Sequence, residues 1–373
     1  MSKVRLGDVF PLIRNGASIK QSDNASGIPI TRIETIADRE IDRNKFGYAN
    51  IVDVEKYQDY LLRDGDILMS HINSEKHLGK VALCRLNCKE EQIIHGMNLL
   101  MLRPDIEVII PSYATYFFNS NAFLQQIPNI TKKSVNQASF TVTALKDLKI
   151  SVPSINEQQE IVTRLDKVTD LIALRKQQLA KLDELVKARF VELFGDPITN
   201  SNNLPIERME QRFSLKAGIT TAADDIHDFE EGSYEIPCYG GNGIRGYVKE
   251  KSYTGDYPII GRQGALCGNV QYATGDFHAT EHAVLVSLLK NDNSVWVYHL
   301  LKLMDLYRYH TGAAQPGLAV KTLNTVEIIV ADKSKQDQFA AFVEQTDKSK
   351  LAIQKSLDQL ETLKKSLMQE YFG

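Results

Sequence analysis

The feature that most constrains this fold is a long amphipathic segment that occurs twice. Residues 179–195, LAKLDELVKARFVELFG, overlay residues 357–373, LDQLETLKKSLMQEYFG, without a gap. Leu179, Leu182, Leu185, Lys187, Glu192, Phe194 and Gly195 recur as Leu357, Leu360, Leu363, Lys365, Glu370, Phe372 and Gly373. The same offset pairs Gln158 with Gln336, Leu145 with Leu323, Ile150 with Ile328, Val152 with Val330 and Gln137 with Gln315. The period lies far outside the range of solenoid repeats. Duplication explains it, and the chain reads as globular unit, helix, globular unit, helix.

Apolar residues in the first copy alternate steps of four and three: Ile161, Leu165, Val168, Ile172, Leu179, Leu182, Val186 and Leu193, with Arg175 and Arg189 interrupting. The second copy keeps Phe339, Val343, Ile353, Leu357, Leu360, Leu367 and Tyr371 in register, interrupted by Thr346, Lys350 and Lys364. A stripe of that width and period suits a coiled-coil seam. Each helix of about 38 residues is roughly 57 Å long, and two matched helices of that length are expected to pair with each other. Asn156 is the expected N-cap of the first, with Glu157 and Glu160 in its first turn, and Ser334 is the counterpart in the second. Gly195 can close the first helix in a left-handed conformation, and Pro197 blocks its continuation.

The globular units mix short apolar runs with Gly-rich turns. Asp66–Ser70 and Pro258–Gly261 read as strands, and Ser112–Gln126 and Ser294–Tyr309 show helical periodicity. The expected class is α/β in the sense of mixed α+β. The expected boundaries are a first domain over 1–152, a helix over 153–195, a second domain over 196–331 and a second helix over 332–373.

The start, Met1-Ser2-Lys3-Val4-Arg5, lacks an apolar leader core, and no apolar run reaches membrane-spanning length, so the cytoplasm is the expected compartment. The four cysteines, Cys84, Cys88, Cys238 and Cys267, form no Cys-x-x-Cys pair and read as isolated thiols. Net charge is −3. Residues 1–150 carry 19 basic and 17 acidic side chains, whereas 196–333 carry 12 and 17. A chain gripping nucleic acid alone is expected to be basic. Any DNA-binding face here must therefore be local, or a partner must supply part of the phosphate contact.

Two stretches look catalytic. Gly241-Asn242-Gly243-Ile244-Arg245-Gly246 matches the dinucleotide fingerprint, which needs a helix after the glycines, yet Tyr247–Lys251 is strand-like. His278-Ala279-Thr280-Glu281-His282 matches an inverted zinc-peptidase pattern, but its flanks are β-rich, which separates the imidazoles too far for one zinc. No methyltransferase tetrapeptide, P-loop or nuclease signature appears. No cofactor and no metal are expected, and the chain is read as non-catalytic.

Several stretches resemble the specificity subunits of type I restriction–modification enzymes. They are Val152–Val162 at the entry of the first helix, Leu193–Pro197 at its exit, Tyr239–Tyr247, Ile259–Gly264 and Ala279–Ala283. The resemblance covers essentially the whole chain. The first domain is less typical, with Ser70-His71-Ile72-Asn73 where the second has Gly261-Arg262-Gln263-Gly264. The resemblance implies two target-recognition domains, each reading one half of a split, asymmetric target in double-stranded DNA. It implies an internal pseudo-two-fold, with the helices pairing antiparallel as a ruler. It further implies docking of two methyltransferase subunits on those helices, and of restriction subunits on that core.

Direct readout needs paired donors and acceptors, Arg for guanine and Asn or Gln for adenine. In the first domain the candidates are His71, Asn73 and Lys76 after the strand ending at Ser70, and Lys132, Lys133, Asn136 and Gln137 in one loop. In the second they are Asn242, Arg245, Arg262 and Gln263 in Gly-rich turns, with His310, Thr311 and Gln315 in the loop matching 136–137. A reading of another class is a coiled-coil scaffold whose globular ends bind protein. It accounts for the near-neutral charge, but not for unlike domains joined to like helices.

Overall fold

A computed structural model describes residues 3–22, 27–37, 39–51, 53–135, 137–312 and 316–373. The chain forms two compact units, one from Met1–Leu174 with Ser356–Gly373, the other from Arg175–Lys355.

In the first unit the central sheet runs in the order Leu12–Asn15, Leu99–Arg103, Ile67–Ser70, Val81–Leu83, Arg39–Ile41, Ile36–Ala37. Neighbours are antiparallel except Val81–Leu83 with Arg39–Ile41, which run parallel. Ile67, Leu68 and Met69 are all fully buried. A strand covered on both faces loses its polar alternation, which is why this stretch reads as a plain apolar run. Helix Pro111–Phe118 packs into the same core as Leu6, Phe10, Ile161 and Leu165, with Leu367, Tyr371 and Phe372 against it. The helical periodicity over 112–126 is divided in two. Asn119 turns its side-chain amide back to the Thr115 carbonyl, and Ser120 caps a new turn at Asn121–Leu124.

The second unit repeats this plan. Its main sheet runs Phe213–Ala217, Ala283–Leu288, Tyr257–Gly261, Val270–Ala273, all antiparallel. These are the counterparts, in order, of the first four strands above. A second sheet runs Gly243–Val248, Ile236–Gly240, Asp276–Ala279, Tyr253–Thr254. Helix Ser294–Leu303 buries Trp296 with Phe190, Phe194 and Phe339.

Each long helix has 40 residues, Ile155–Phe194 and Lys333–Phe372. Within the second unit Asp183 pairs with Lys350 at 2.7 Å, while Phe190 and Phe194 stack edge-on against Phe339. Numbering falls along one segment as it rises along the other, so the two run antiparallel. Within the first unit Arg164 Nη1 donates to the Tyr371 hydroxyl at 3.2 Å. The expected stripe is the buried one at Ile161, Leu165, Val168, Ile172, Val186, Phe339, Val343 and Leu357. Phe190 and Phe194, fully buried, extend it beyond the residues named from periodicity.

Both expected N-caps lie two residues late. Helix 155–194 is entered at Ser154, whose Oγ accepts from the Glu157 amide while Glu157 Oε2 accepts from the Ser154 amide at 2.9 Å. That reciprocal pair satisfies two end donors together, which Asn156 cannot do. Ser334 likewise falls inside the first turn of the second helix, whose first residue is Lys333. The exit of the first helix matches expectation, because Gly195 has φ +76° and its amide reaches the Val191 carbonyl at 2.8 Å. A Cβ there would come 2.6 Å from Ser201 Oγ. Gly195→Ala is therefore expected to destabilise the second unit by about 1–2 kcal/mol, read as a lower urea midpoint.

Candidate nucleic-acid interface

In the first unit two sequence stretches 60 residues apart become one small sheet. Strands Lys132–Lys133 and Ala138–Ser139 form a hairpin, and Ile72–Asn73 pairs with its second arm, Ala138 opposite Asn73. The candidates Asn73, Lys132, Lys133 and Gln137 therefore share one ribbon, with Lys76 exposed on the next turn, Glu75–His77. Lys133 Nζ lies 2.9 Å from Glu75 Oε2 with both side chains largely exposed, so the contact orders the turn weakly. Asn73 is half-buried; its side-chain carbonyl accepts from the Ser74 amide at 2.8 Å and its side-chain amide donates to Ser70 Oγ at a long 3.4 Å. His71 is only 6% exposed, edge-on to Phe140, and burial pushes it down to about 4. It stands neutral beneath the ribbon. Asn136 lies outside the described residues.

The second unit builds the same ribbon with other side chains. Gly317 bridges Gln263 on one side and Thr311 on the other, so the segment after the central strand again meets the arm preceding a short helix, here Val320–Asn324. Arg262 is held through its backbone, its amide donating to the His282 carbonyl at 2.9 Å and its carbonyl accepting from Leu318 at 2.8 Å. Its side chain is half-buried, and its Nε is buried without a hydrogen-bond partner. Asn242 and Arg245 are exposed on the turn and second strand of the hairpin Ile236–Val248. His310 stacks on Tyr307 at 4.3 Å and its Nδ1–H donates to the Tyr307 carbonyl at 2.8 Å, whereas Thr311 is exposed. Gln315 lies outside the described residues.

A single glycine brings these pieces together. A Cβ on Gly261, at the end of the central strand, would fall 1.8 Å from the Gly241 carbonyl. Only hydrogen fits there. The glycine-rich hairpin therefore closes on the strand that delivers Arg262. A concavity of about 570 Å³ results, lined by Asn242, Arg245, Gln263, Leu266 and His282. Leu266 and His282 were not among the residues expected from sequence. His282, with a buried and unpartnered Nδ1, stands in the zinc-like motif, a pattern that bears on chelation and carries no signal for this wall.

The two catalytic-looking stretches are strand and turn. The glycine fingerprint spans a β-hairpin, with Tyr239 opposite Ile244, and no helix follows it. His278 lies in the strand Asp276–Ala279 and is held between Thr221 and Ser252, while His282 lies in the turn that the Ala283 amide closes on the Thr280 carbonyl. Among the described residues no three His, Cys, Asp or Glu side chains gather as a metal would require. The four cysteines are free thiols, only Cys88 exposed.

This is a duplicated mixed α+β chain in which paired long helical segments carry two ribbons with unlike side chains. Residues 1–184 and 217–363 match the family model of the type I restriction modification DNA specificity domain, and the chain belongs to that family. It is 39% identical over 198 residues to the type I restriction enzyme EcoprrI specificity subunit of Escherichia coli, covering 52% of this chain and 49% of that protein. It is 24% identical over 203 residues to the EcoKI specificity subunit of Escherichia coli K12, covering 53% and 43%. These matches thus span about half the length of the curated relatives. The type I restriction–modification S subunit from M. genitalium superposes over 100% of this chain and 96% of its own, with TM-score 0.64 at 16% identity. A chain solved in work on assembly and conformational transition of the type I R-M system covers 100% and 97%, with TM-score 0.56 at 16% identity. At such identity these likenesses speak for the fold alone. Among the described residues no helix is long and apolar enough to cross a membrane.

Proposed function

We propose that this chain is the DNA-recognition subunit of a type I restriction–modification complex, non-catalytic and cytoplasmic, with each unit reading one half of a bipartite, asymmetric target. The proposed domains are 1–152 and 196–331, with the helices 153–195 and 332–373 as the spacer between half-site readers. The observation that carries this reading is that both units present the residue after the central strand beside the same two-armed ribbon, while the side chains there differ. Like scaffold with unlike side chains is what two readers of different sequence require.

The proposed contacts are Asn73, Lys76, Lys132, Lys133, Asn136 and Gln137 over the buried His71 in one unit. In the other they are Asn242, Arg245, Arg262, Gln263, His310, Thr311 and Gln315. The acidic balance of the second unit does not oppose this. Asp224, Asp225, Asp228, Glu230, Glu231 and Glu235 are all exposed on one loop and account for the unit's whole net negative charge. Two methyltransferase subunits are the proposed partners on the helices, with restriction subunits completing the complex. Leu185 and Leu363, equivalent by the internal offset, are 48% and 46% exposed, as matched docking faces would be.

Arg262→Ala tests the reading. Binding of the assembled complex to its target is expected to weaken by about 1–3 kcal/mol, with specificity relaxed in one half-site only. Gel shifts against a panel of half-site variants read this directly. Equal affinity for every variant, with and without the substitution, removes Arg262 from the contacts.

A further inference from the structure

The two central sheets match in four strands and differ at one edge. In the first unit Val81–Leu83 is covered by Arg39–Ile41, with Ala82 opposite Arg39 and Leu83 opposite Glu40. In the second unit Val270–Ala273 is the last strand, and among the described residues nothing pairs with its outer side. Pro258 stands opposite Tyr272 and has no N–H to give. The ladder bonds therefore fall on the Tyr257–Ala273 and Ile259–Gln271 pairs, and the amide and carbonyl of Tyr272 point outward. Such an edge is a template for another strand.

Beside it lies a cavity of about 730 Å³ whose walls include Tyr272, Tyr298, His299, Glu344 and Asp347. The first unit shows what fills the corresponding place. Counted from the two helix caps Ile110 and Asn293, whose amides donate to Gln158 and Gln336, Tyr116 stands where His299 stands. Along the long helices Asp166 and Thr169 stand where Glu344 and Asp347 stand. Tyr116 donates its hydroxyl to Asp166 at 2.6 Å, and the guanidinium of Arg39, from the covering strand, lies 4.6 Å from the ring centre. The second unit has a smaller ring, two carboxylates and no covering strand. Its cavity carries four carboxylates, including Asp183 and Glu184, against three lysines. Lys350 pairs with Asp183 and Asp347, Lys348 pairs with Glu344, and Lys302 lies over the Tyr298 ring. Burial, with Lys302 and Lys350 nearby, drives His299 down to about 3, so the ring adds no positive charge.

We propose that this edge and cavity receive an extended segment of a methyltransferase subunit, which adds as a further strand and places an arginine among Glu344, Asp347 and the Tyr298 ring in exchange for their present lysine partners. The occupant has the chemistry that the chain supplies to itself in the other unit: a strand for the edge and a guanidinium for the hole. This rests on methyltransferase subunits being the partners.

The test is amide hydrogen exchange on the full chain, alone and co-assembled with the methyltransferase subunit, without DNA. Exchange at Tyr272 is expected to slow about 100-fold or more in the assembly, as a newly bonded edge amide does. Glu344→Lys, at an exposed helix position, is expected to weaken assembly about 10-fold or more while leaving the exchange of the isolated chain unchanged. Assembly with Tyr272 still exchanging freely, or slowed only after DNA is added, overturns the proposal and leaves the partner reading standing. Failure of the unaltered chain to assemble at all removes both.

Discussion

Gln336→Leu is expected to destabilise the second unit by about 4 kcal/mol, because one buried and two part-buried groups lose their partner in one step. The side chain is 1% exposed. Its Oε1 accepts from the Asn293 amide at 2.7 Å, and its Nε2 donates to the Ala331 carbonyl and to Asp292 Oδ1, each at 2.9 Å. Asp292 is itself buried and ion-paired with Arg212, so losing a donor there unbalances a buried charge as well. Gln158, fully buried, does the same work in the first unit on the Ile110 amide and the Val108 and Pro153 carbonyls. No charged partner is involved, and Gln158→Leu is expected to cost less, about 3 kcal/mol. Urea unfolding followed by Trp296, the chain's one tryptophan and a member of the same core, reports the second unit alone. An unfolding free energy within about 1 kcal/mol of the parent's would show that this glutamine does not tie the recognition domain to its helix.

That glutamine also shows what the sequence could reveal. The offset paired Gln158 with Gln336 without saying why, because a hydrogen bond to a backbone some 45 residues away leaves no local pattern. The long helices were legible because a buried stripe at period 3.5 repeats over many turns, and duplication doubled the signal. Their entry points were less so, since Ser154 and Asn156 are both good caps and only the reach of Glu157 decides between them. The ribbons were half legible. Arg, Asn, Gln and Lys in Gly-rich turns marked the pieces, but joining 72–73 to 138–139, or 263 to 317, is a pairing across tens of residues. The concavity was not legible at all, because it depends on Gly261 meeting the Gly241 carbonyl.

Acid is expected to weaken the first unit well before its carboxylates titrate. His95 is fully buried and its Nε2–H donates to the Leu99 carbonyl at 2.9 Å, which leaves Nδ1 as the unprotonated nitrogen. Nδ1 is buried with no partner, so a second proton would have no acceptor. Burial, and then the charges of Arg14 and His71, push His95 down to about 4, and burial alone does so for His71. Both pKa values are depressed on folding, so the unfolded chain binds the protons first. Stability is therefore full above about pH 6.5 and is lost as pH falls toward 4, at about 1.4 kcal/mol per pH unit for each histidine. Between pH 6.5 and 5 ordinary carboxylates stay ionised, so the loss in that window belongs to the imidazoles. Exchange of the Leu99–Arg103 amides, central in that sheet, measures it. His95→Gln keeps a side-chain donor for Leu99 without the titrating nitrogen and is expected to reduce the slope by about one proton. An unchanged slope in that variant would mean that the folded unit accommodates the imidazolium, and that His95 is not the acid-labile group.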